Sequence, residues 1–554
     1  MYQILEMKSH NFRIGIIFLL IFSIFSCARR GRPTGGPKDE AAPIMVTAEP
    51  AFETVNFKAK KININFDEFI KLKDVGKQLI VSPPLKYKPV VTPLGTASKT
   101  LKIELLDTLK AETTYIFNFG TSVQDNNEGN VLYNFKYVMS TGSYIDSLKI
   151  NGKIKDALSN VVDKDVAILL YKLDTAYNDS IIYKGLPNYI ANSLDTVVWE
   201  MTNIKEGKYL LAALKQKNYN YKFNPKTDKI AFYKDTIHIT PDSIKTVSDS
   251  LSTLALKSYE LSLFKEIVDY KLARPSEVAI QHIVFGYEGH AKDLKVELLS
   301  DVPKDFKSVQ AFEIDKDTLN YWFNTPNLDS LQFKVSNNTF IDTVTVKLRA
   351  KEFDSLKVGS NSKALLNFRD DFKLVTNQPI TEVDTSKIVF IDRDSLKIPY
   401  TTKISDLKKE LIFKFNKTEN NAYKLVLLPK AITTFFESSK DTIRYRFATK
   451  KLIDYGSISL NLNGAKSYPI MLQLTDKNNK VIQTKHLNNP QDVIFDMIDP
   501  AVYFVRAIYD DNKNGIWDTG SFKNRIQPET VIYFPKGIDV RANWIVNEVF
   551  NISK

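Results

Sequence analysis

Cysteine is almost absent from this sequence: 554 residues contain one, Cys27. A single thiol can form neither an intramolecular disulfide nor a cysteine-based metal cluster. Histidine is nearly as scarce, and beyond Cys27 only His238, His282, His290 and His486 remain. They are so dispersed that a histidine metal site or a Ser-His-Asp triad would need distant segments to converge. The chain also lacks His-Glu-x-x-His, Gly-x-Ser-x-Gly and a phosphate-cradling glycine loop. Paired carboxylates for glycoside hydrolysis have no fixed spacing and stay open as an alternative. The expectation is a protein that is not an enzyme and requires no cofactor.

What is present points to folded β-structure. Hydrophobic residues make up 43% and charged residues 25%, enough apolar surface to build real cores and too little charge for extended disorder. This length exceeds one core and suggests about three to five compact units. Tyr (26) and Phe (34) are plentiful, and Val, Ile and Thr recur in short alternating runs bounded by Asn, Asp, Gly and Pro, which predicts an all-β chain. The net charge of +12 raises the question of nucleic acid. The lysines are scattered through amphipathic runs, where they discourage edge-to-edge strand pairing, so no nucleic-acid partner is expected.

The lone cysteine has a local explanation. Lys8 and Arg13 precede an apolar run, Ile14 to Phe25, of signal-peptide length and too short for an ordinary membrane span. Ile24-Phe25-Ser26-Cys27 then resembles a bacterial lipobox, which implies cleavage before Cys27 and lipidation of that residue. A stretch rich in Arg, Gly and Pro follows and reads as a flexible tether. Within it, Lys38-Asp39-Glu40 resembles the basic-acidic-acidic signal that sends some Bacteroidota lipoproteins to the cell surface. The predicted divisions are a signal peptide over 1–26, a lipidated tether over 27–40 and sandwiches over 41–144, 145–257, 258–358, 359–455 and 456–554.

Period-two alternation at Ile62-Asn63-Ile64-Asn65-Phe66 and Leu101-Lys102-Ile103-Glu104-Leu105 opens the first sandwich. Its Tyr-rich run at Tyr115, the turn Asp125-Asn126-Asn127-Glu128-Gly129-Asn130 and the ending at Thr141-Gly142 resemble the bacterial Ig-like domains of surface-layer proteins. The second unit, with Val166 to Tyr171 and a polar turn entering Tyr209, looks like the transthyretin-like or carboxypeptidase-regulatory sandwich. Both appear twice. Tyr115, Tyr137 and Thr141 match Tyr423, Tyr445 and Thr449 at one offset, and Asn65-Phe66 with Lys71-Leu72 matches Asn367-Phe368 with Lys373-Leu374. Tyr209, Asn218, Asn220, Phe223 and Asn224 match Tyr503, Asn512, Asn514, Trp517 and Asp518 at another. The middle unit is expected to be a sandwich of its own type.

The sharpest local motif runs from Asp510 to Asp518. Oxygen-bearing side chains at Asp510, Asn512, Asn514 and Asp518, with Gly515 for the sharp turn, follow the alternate spacing of a calcium loop. A metal-free hairpin uses the same residues, and the usual bidentate glutamate position holds Ser521. Asp-Ser/Thr-aliphatic triplets such as Asp146-Ser147-Leu148, Asp235-Thr236-Ile237 and Asp441-Thr442-Ile443 resemble a Bacteroidota O-glycosylation sequon, or else mark a turn entering a strand. Tyr219, Tyr221 and Phe223 form either a carbohydrate platform or a strand with two buried rings.

The whole resembles Bacteroidota outer-membrane lipoproteins with Ig-like and transthyretin-like domains. That resemblance implies a lipid-anchored protein of the outer membrane, on its extracellular face or else its periplasmic one. The leading expectation is a binding or scaffolding component beside an outer-membrane protein complex, and the alternative is glycan capture or adhesion.

Overall fold

A computed structural model describes residues 38–553, apart from 162, 176, 195, 242–257, 292, 326–327 and 363. The expected signal peptide, Cys27 and most of the tether lie outside the described residues. The protein is all-β. The α-helices among the described residues, Val75–Gln78 and Ile181–Lys184, are single turns, and no helix there is long and apolar enough to cross a membrane. The chain divides at Ile145/Asp146 into two compact units.

The first unit is one sandwich. Strand Lys61–Leu72 pairs with Met45–Glu49 and Ser98–Glu104, and Thr114–Asn118 pairs with Lys136–Ser140 in the opposed sheet. Alternation sets the core: Ile62, Ile64, Phe66, Leu101 and Ile103 turn inward to meet Tyr115, Phe117, Tyr137 and Met139, while Lys61, Lys102 and Glu104 face solvent.

The second unit holds four sandwiches, each with its own apolar cluster. In the second sandwich, Leu148–Asp156 lies between Val198–Ile204, antiparallel, and Ser258–Leu263, parallel. Ser258–Leu263, just past the boundary expected at 257/258, therefore completes this sandwich, and Tyr259, Leu261 and Leu263 belong to its core. The fifth sandwich repeats that topology: Gly456–Asn463 lies between Val493–Ile498, antiparallel, and Ile545–Asn551, parallel. The middle unit is a sandwich of two antiparallel sheets built around His282–Glu288 with Thr318–Phe323 and around Ser330–Asn337 with Phe340–Lys347.

Hydrogen bonds show which sequence matches are structural equivalences. The Tyr115 hydroxyl accepts the Lys110 N–H at 2.8 Å, and the Tyr423 hydroxyl accepts the Thr418 N–H at 2.8 Å. Thr141 and Thr449 donate to the carbonyls of those same two residues. Tyr137 donates to Pro50 at 2.9 Å and Tyr445 to Val358 at 2.8 Å. The tyrosines of the second and fifth sandwiches agree too, Tyr209 donating to Lys205 and Tyr503 to Asp499. The Asn-Phe match does not hold. Asn65 and Phe66 lie inside strand Lys61–Leu72, whereas Asn367 and Phe368 lie in the turn ahead of Phe372–Thr376. Chance identity of two short strings produced it.

The four sandwiches of the second unit touch in a closed circuit. Lys226 of the second pairs with Glu288 of the third at 2.6 Å. Lys409 of the fourth lies 4.0 Å from Glu313 and 5.6 Å from the Trp322 ring of the third. Arg369 of the fourth donates to Met497 of the fifth at 3.0 Å, and Lys450 pairs with Asp499 at 2.6 Å. The fifth returns to the second, where the Arg506 guanidinium and the Tyr533 hydroxyl both donate to the Leu158 carbonyl.

At Gly152 an added Cβ would sit 2.0 Å from the Tyr259 carbonyl oxygen and 2.5 Å from the Trp199 ring, so the parallel strand can approach only if this residue has no side chain. Gly152→Ala is expected to cost about 1–3 kcal/mol of stability, read from denaturant unfolding. In the first sandwich, burial and the neighbouring carboxylates, Asp125 foremost, push Glu68 up from 4.5 to about 7. Burial acts to raise Asp125 as well, but the N–H groups of Asn127 and Glu128 outweigh it and hold that carboxyl at about 2. A carboxyl raised on folding stabilises in acid and loses its contribution as pH climbs from 4.5 through about 7. Asp125 does the reverse, contributing above 3.8 and losing that contribution as pH falls toward about 2. Glu68→Gln is therefore expected to raise the melting temperature of the first sandwich at about pH 8 and leave it unchanged at about pH 4, measured by scanning calorimetry.

Candidate functional site

The hairpin loop of the fifth sandwich gathers several carboxylates and amides around one turn. It leaves strand Ala501–Tyr509 and re-enters the sheet at Val531–Tyr533. Asp510, buried at its start, accepts the Asn514 and Gly515 N–H groups at 3.0 and 2.9 Å, one on each carboxylate oxygen. Gly515 has φ of +78°, a conformation that side chains resist. Asn512 and Asn514 both donate their amides to one oxygen of Asp518, at 2.7 and 2.6 Å. The four residues singled out from the sequence are thus brought together around one turn.

Glu529 completes the arrangement and was not found by spacing. It lies eight residues beyond the Ser521 position where a calcium loop would place its glutamate, yet its carboxylate accepts the N–H groups of both Asp511 and Asp518, at 2.9 and 3.0 Å. Burial raises Glu529 above its ordinary value; those N–H groups oppose the shift, and the charges of Asp518 and Asp510 add to it. The signal available in the sequence was the repeat. In the second sandwich Asn224 and Asp228 hold each other as Asp518 and Glu529 do, the first donating its N–H to the second's carboxylate and accepting the second's N–H on its carbonyl. Gln216 stands where the fifth sandwich has Asp510, and its amide spans Asn220, Lys222 and Asp228. Among the described residues no three His, Cys, Asp or Glu side chains gather to hold a metal ion. The oxygen set at the loop is two carboxylates, two amides and whatever Glu529 can spare.

An open cleft of about 880 Å³ lies beside the loop, walled by Tyr183 and Asn224 of the second sandwich, His290 and Phe340 of the third, and Asp518 and Asn524 of the fifth. That volume falls within the range of small-ligand sites. Of the other histidines, His282 stacks on Trp322 at 4.7 Å and His238 lies on strand Ile237–Ile239, while His486, on strand Val481–Leu487, stands beside the loop, its ring 3.7 Å from where a Cβ on Gly515 would lie. Lys38, Asp39 and Glu40 are exposed, with the Asp39 carbonyl accepting the Asn130 amide at 2.9 Å.

The aromatic loop is not a strand. Tyr219 and Tyr221 have φ of +48° and +59°, outside strand geometry, because Gln216 draws the turn around its amide by accepting the Tyr221 N–H. Only Phe223 is fully buried, 5.7 Å from the Tyr183 ring. In the Asp-Ser/Thr triplets, Leu148, Ile237 and Ile443 each begin a strand, and Ser147 and Thr236 are exposed.

Residues 39–141 match the bacterial Ig-like domain family, which covers the first sandwich. No curated protein matches the chain. Among solved structures, surface layer protein SbsC, domains 1–6, is 12% identical over 90% of this chain and 67% of that one, with a TM-score of 0.16. The Bacillus anthracis TIE protein is 8% identical over 94% and 76%, with a TM-score of 0.15. BcpA, the major pilin subunit of Bacillus cereus, is 10% identical over 73% and 99%, with a TM-score of 0.14. Scores this low carry no functional argument, and the family match places an Ig-like domain at the start of the described chain.

Proposed function

We propose that the protein is an exported lipoprotein, anchored through Cys27 in the outer membrane and facing the cell exterior, whose sandwiches bind or scaffold a partner complex in that membrane. The observation that carries the reading is an order: an apolar run, a single cysteine, a Gly- and Pro-rich polar stretch, and then an Ig-like domain at once. Such an order suits a module held off a surface on a tether. Sandwiches offer long faces and many loops, which suit protein partners better than a small enclosed pocket.

Gentle detergent isolation of the tagged protein from outer membranes, followed by mass spectrometry, tests the reading. Stoichiometric recovery of a membrane β-barrel or export component is the expected result. Recovery of the lipoprotein alone turns the reading toward glycan capture, for which the 880 Å³ cleft with its amides and aromatic rings is the place to look. Cys27→Ala is expected to release the folded protein from membrane fractions, and a variant that stays membrane-bound removes the lipid anchor from the reading.

Calcium belongs to the same proposal, with Asp510, Asn512, Asn514 and Asp518 as ligands. Rotating the two amides about their last bond would turn carbonyl oxygens, instead of nitrogens, toward Asp518's side of the turn. Isothermal titration with calcium and melting with and without chelator check it. Heat together with a raised melting temperature supports a metal loop; absence of both leaves Asp510 and Asp518 as turn residues.

A further inference from the structure

The two transthyretin-like sandwiches are copies of one design, and they differ at one hairpin. In the second sandwich the segment between the paired residues Asn224 and Asp228 is a short turn; in the fifth, the segment between the equivalent pair Asp518 and Glu529 is a longer excursion, 519–528. This added strap carries the apolar contact of the later copy with the earlier one, beside the hydrogen bonds that Arg506 and Tyr533 make to Leu158. Phe522 has no exposed surface, although its own sandwich does not bury it. Its ring meets Phe232 at 5.4 Å, edge to face, and Tyr183 at 6.3 Å, both from the second sandwich.

Polar contacts hold the strap on both sides of that residue. The Phe522 N–H donates to the buried carboxylate of Glu266. Thr519 donates to the Lys265 carbonyl at 2.8 Å, and the Gln527 amide donates to the Phe232 carbonyl at 2.9 Å. Arg525 lies 4.3 Å over the Phe522 ring, pairs with Asp179 and reaches the Tyr177 hydroxyl at 3.1 Å. Gly520 permits the approach, since a Cβ there would lie 2.7 Å from the Phe264 ring. An exposed loop has no reason to bury a phenyl ring, satisfy its N–H on a buried carboxylate and stack an arginine over it; a latch has.

We propose that strap 519–528 is a built-in latch, which closes the four sandwiches of the second unit into one ring by inserting Phe522 and Arg525 into a socket on the second sandwich. Without it the junction of the second and fifth sandwiches would rest on the hydrogen bonds of Arg506, Tyr533 and Asn479 to Leu158 and Ser159, with no ring inserted across it, and the cleft beside the strap would lose its Asp518–Asn524 wall. Partner choice and calcium play no part in the inference, and either can fail without affecting it.

Pulsed electron spin resonance on the full chain tests the latch. Cys27→Ser removes the native thiol, and Glu206→Cys with Asn489→Cys places spin labels at exposed turns of the second and fifth sandwiches. A narrow distance distribution is expected with the strap intact. Arg525→Asp should broaden it, and Arg525→Asp combined with Asp179→Arg should narrow it again. That restoration separates a broken latch from a misfolded sandwich. Phe522→Ala is expected to give the same broadening, together with a split of the second unit's melting into separate transitions. A distribution already broad with the strap intact, or one left narrow by both Arg525→Asp and Phe522→Ala, overturns the proposal.

Discussion

Every sandwich in this protein is held by aliphatic and aromatic side chains trapped between two sheets, because a chain with one cysteine has no covalent cross-link to fall back on. That constraint explains why the strands alternate so strictly and why tyrosine is so frequent. A tyrosine at a sheet corner fills the core with its ring and, through its hydroxyl, also satisfies a backbone group that would otherwise be stranded, as Tyr115, Tyr209, Tyr423 and Tyr503 each do. Such a residue fixes core and loop at once. Both repeated pairs keep it.

Between modules the economy is different. The sheets of the second and fifth sandwiches follow one topology, down to the parallel pairing of first and last strands, while the hairpin after the central strand is free to vary. Variation there changes what the module touches without disturbing its core. In the second sandwich that hairpin is organised by the amide of Gln216; in the fifth, by Asp510, Asp518 and Glu529, which pin the two ends of a longer excursion. A turn that is well satisfied at its base can carry an insertion at its tip.

Much of this was legible in the sequence because its causes are local. Period-two alternation gave the strands, and constant-offset tyrosines gave the repeats, since a corner bond joins residues four or five apart. The aromatic loop at Tyr219 to Phe223 misled for a physical reason: alternation of rings also arises in a tight turn when two of them sit at positive φ. Asn367-Phe368 misled because two residues carry too little information to fix register. Glu529, Phe522 and Arg525 were invisible to spacing rules, as their partners Asp511, Glu266 and Asp179 are joined to them by folding and not by sequence distance. The boundary at residue 258 slipped because a strand that returns in parallel to the first one lies far along the chain from it.

That parallel return has a mechanical consequence. In the second and fifth sandwiches the chain enters along one strand and leaves along its parallel neighbour, Leu148–Asp156 beside Ser258–Leu263 and Gly456–Asn463 beside Ile545–Asn551. Tension applied through the entering and leaving ends pulls such strands past each other lengthwise, so their hydrogen bonds are loaded together in shear instead of opening one by one like a zipper. A chain built from such modules stretches stiffly before any of them yields.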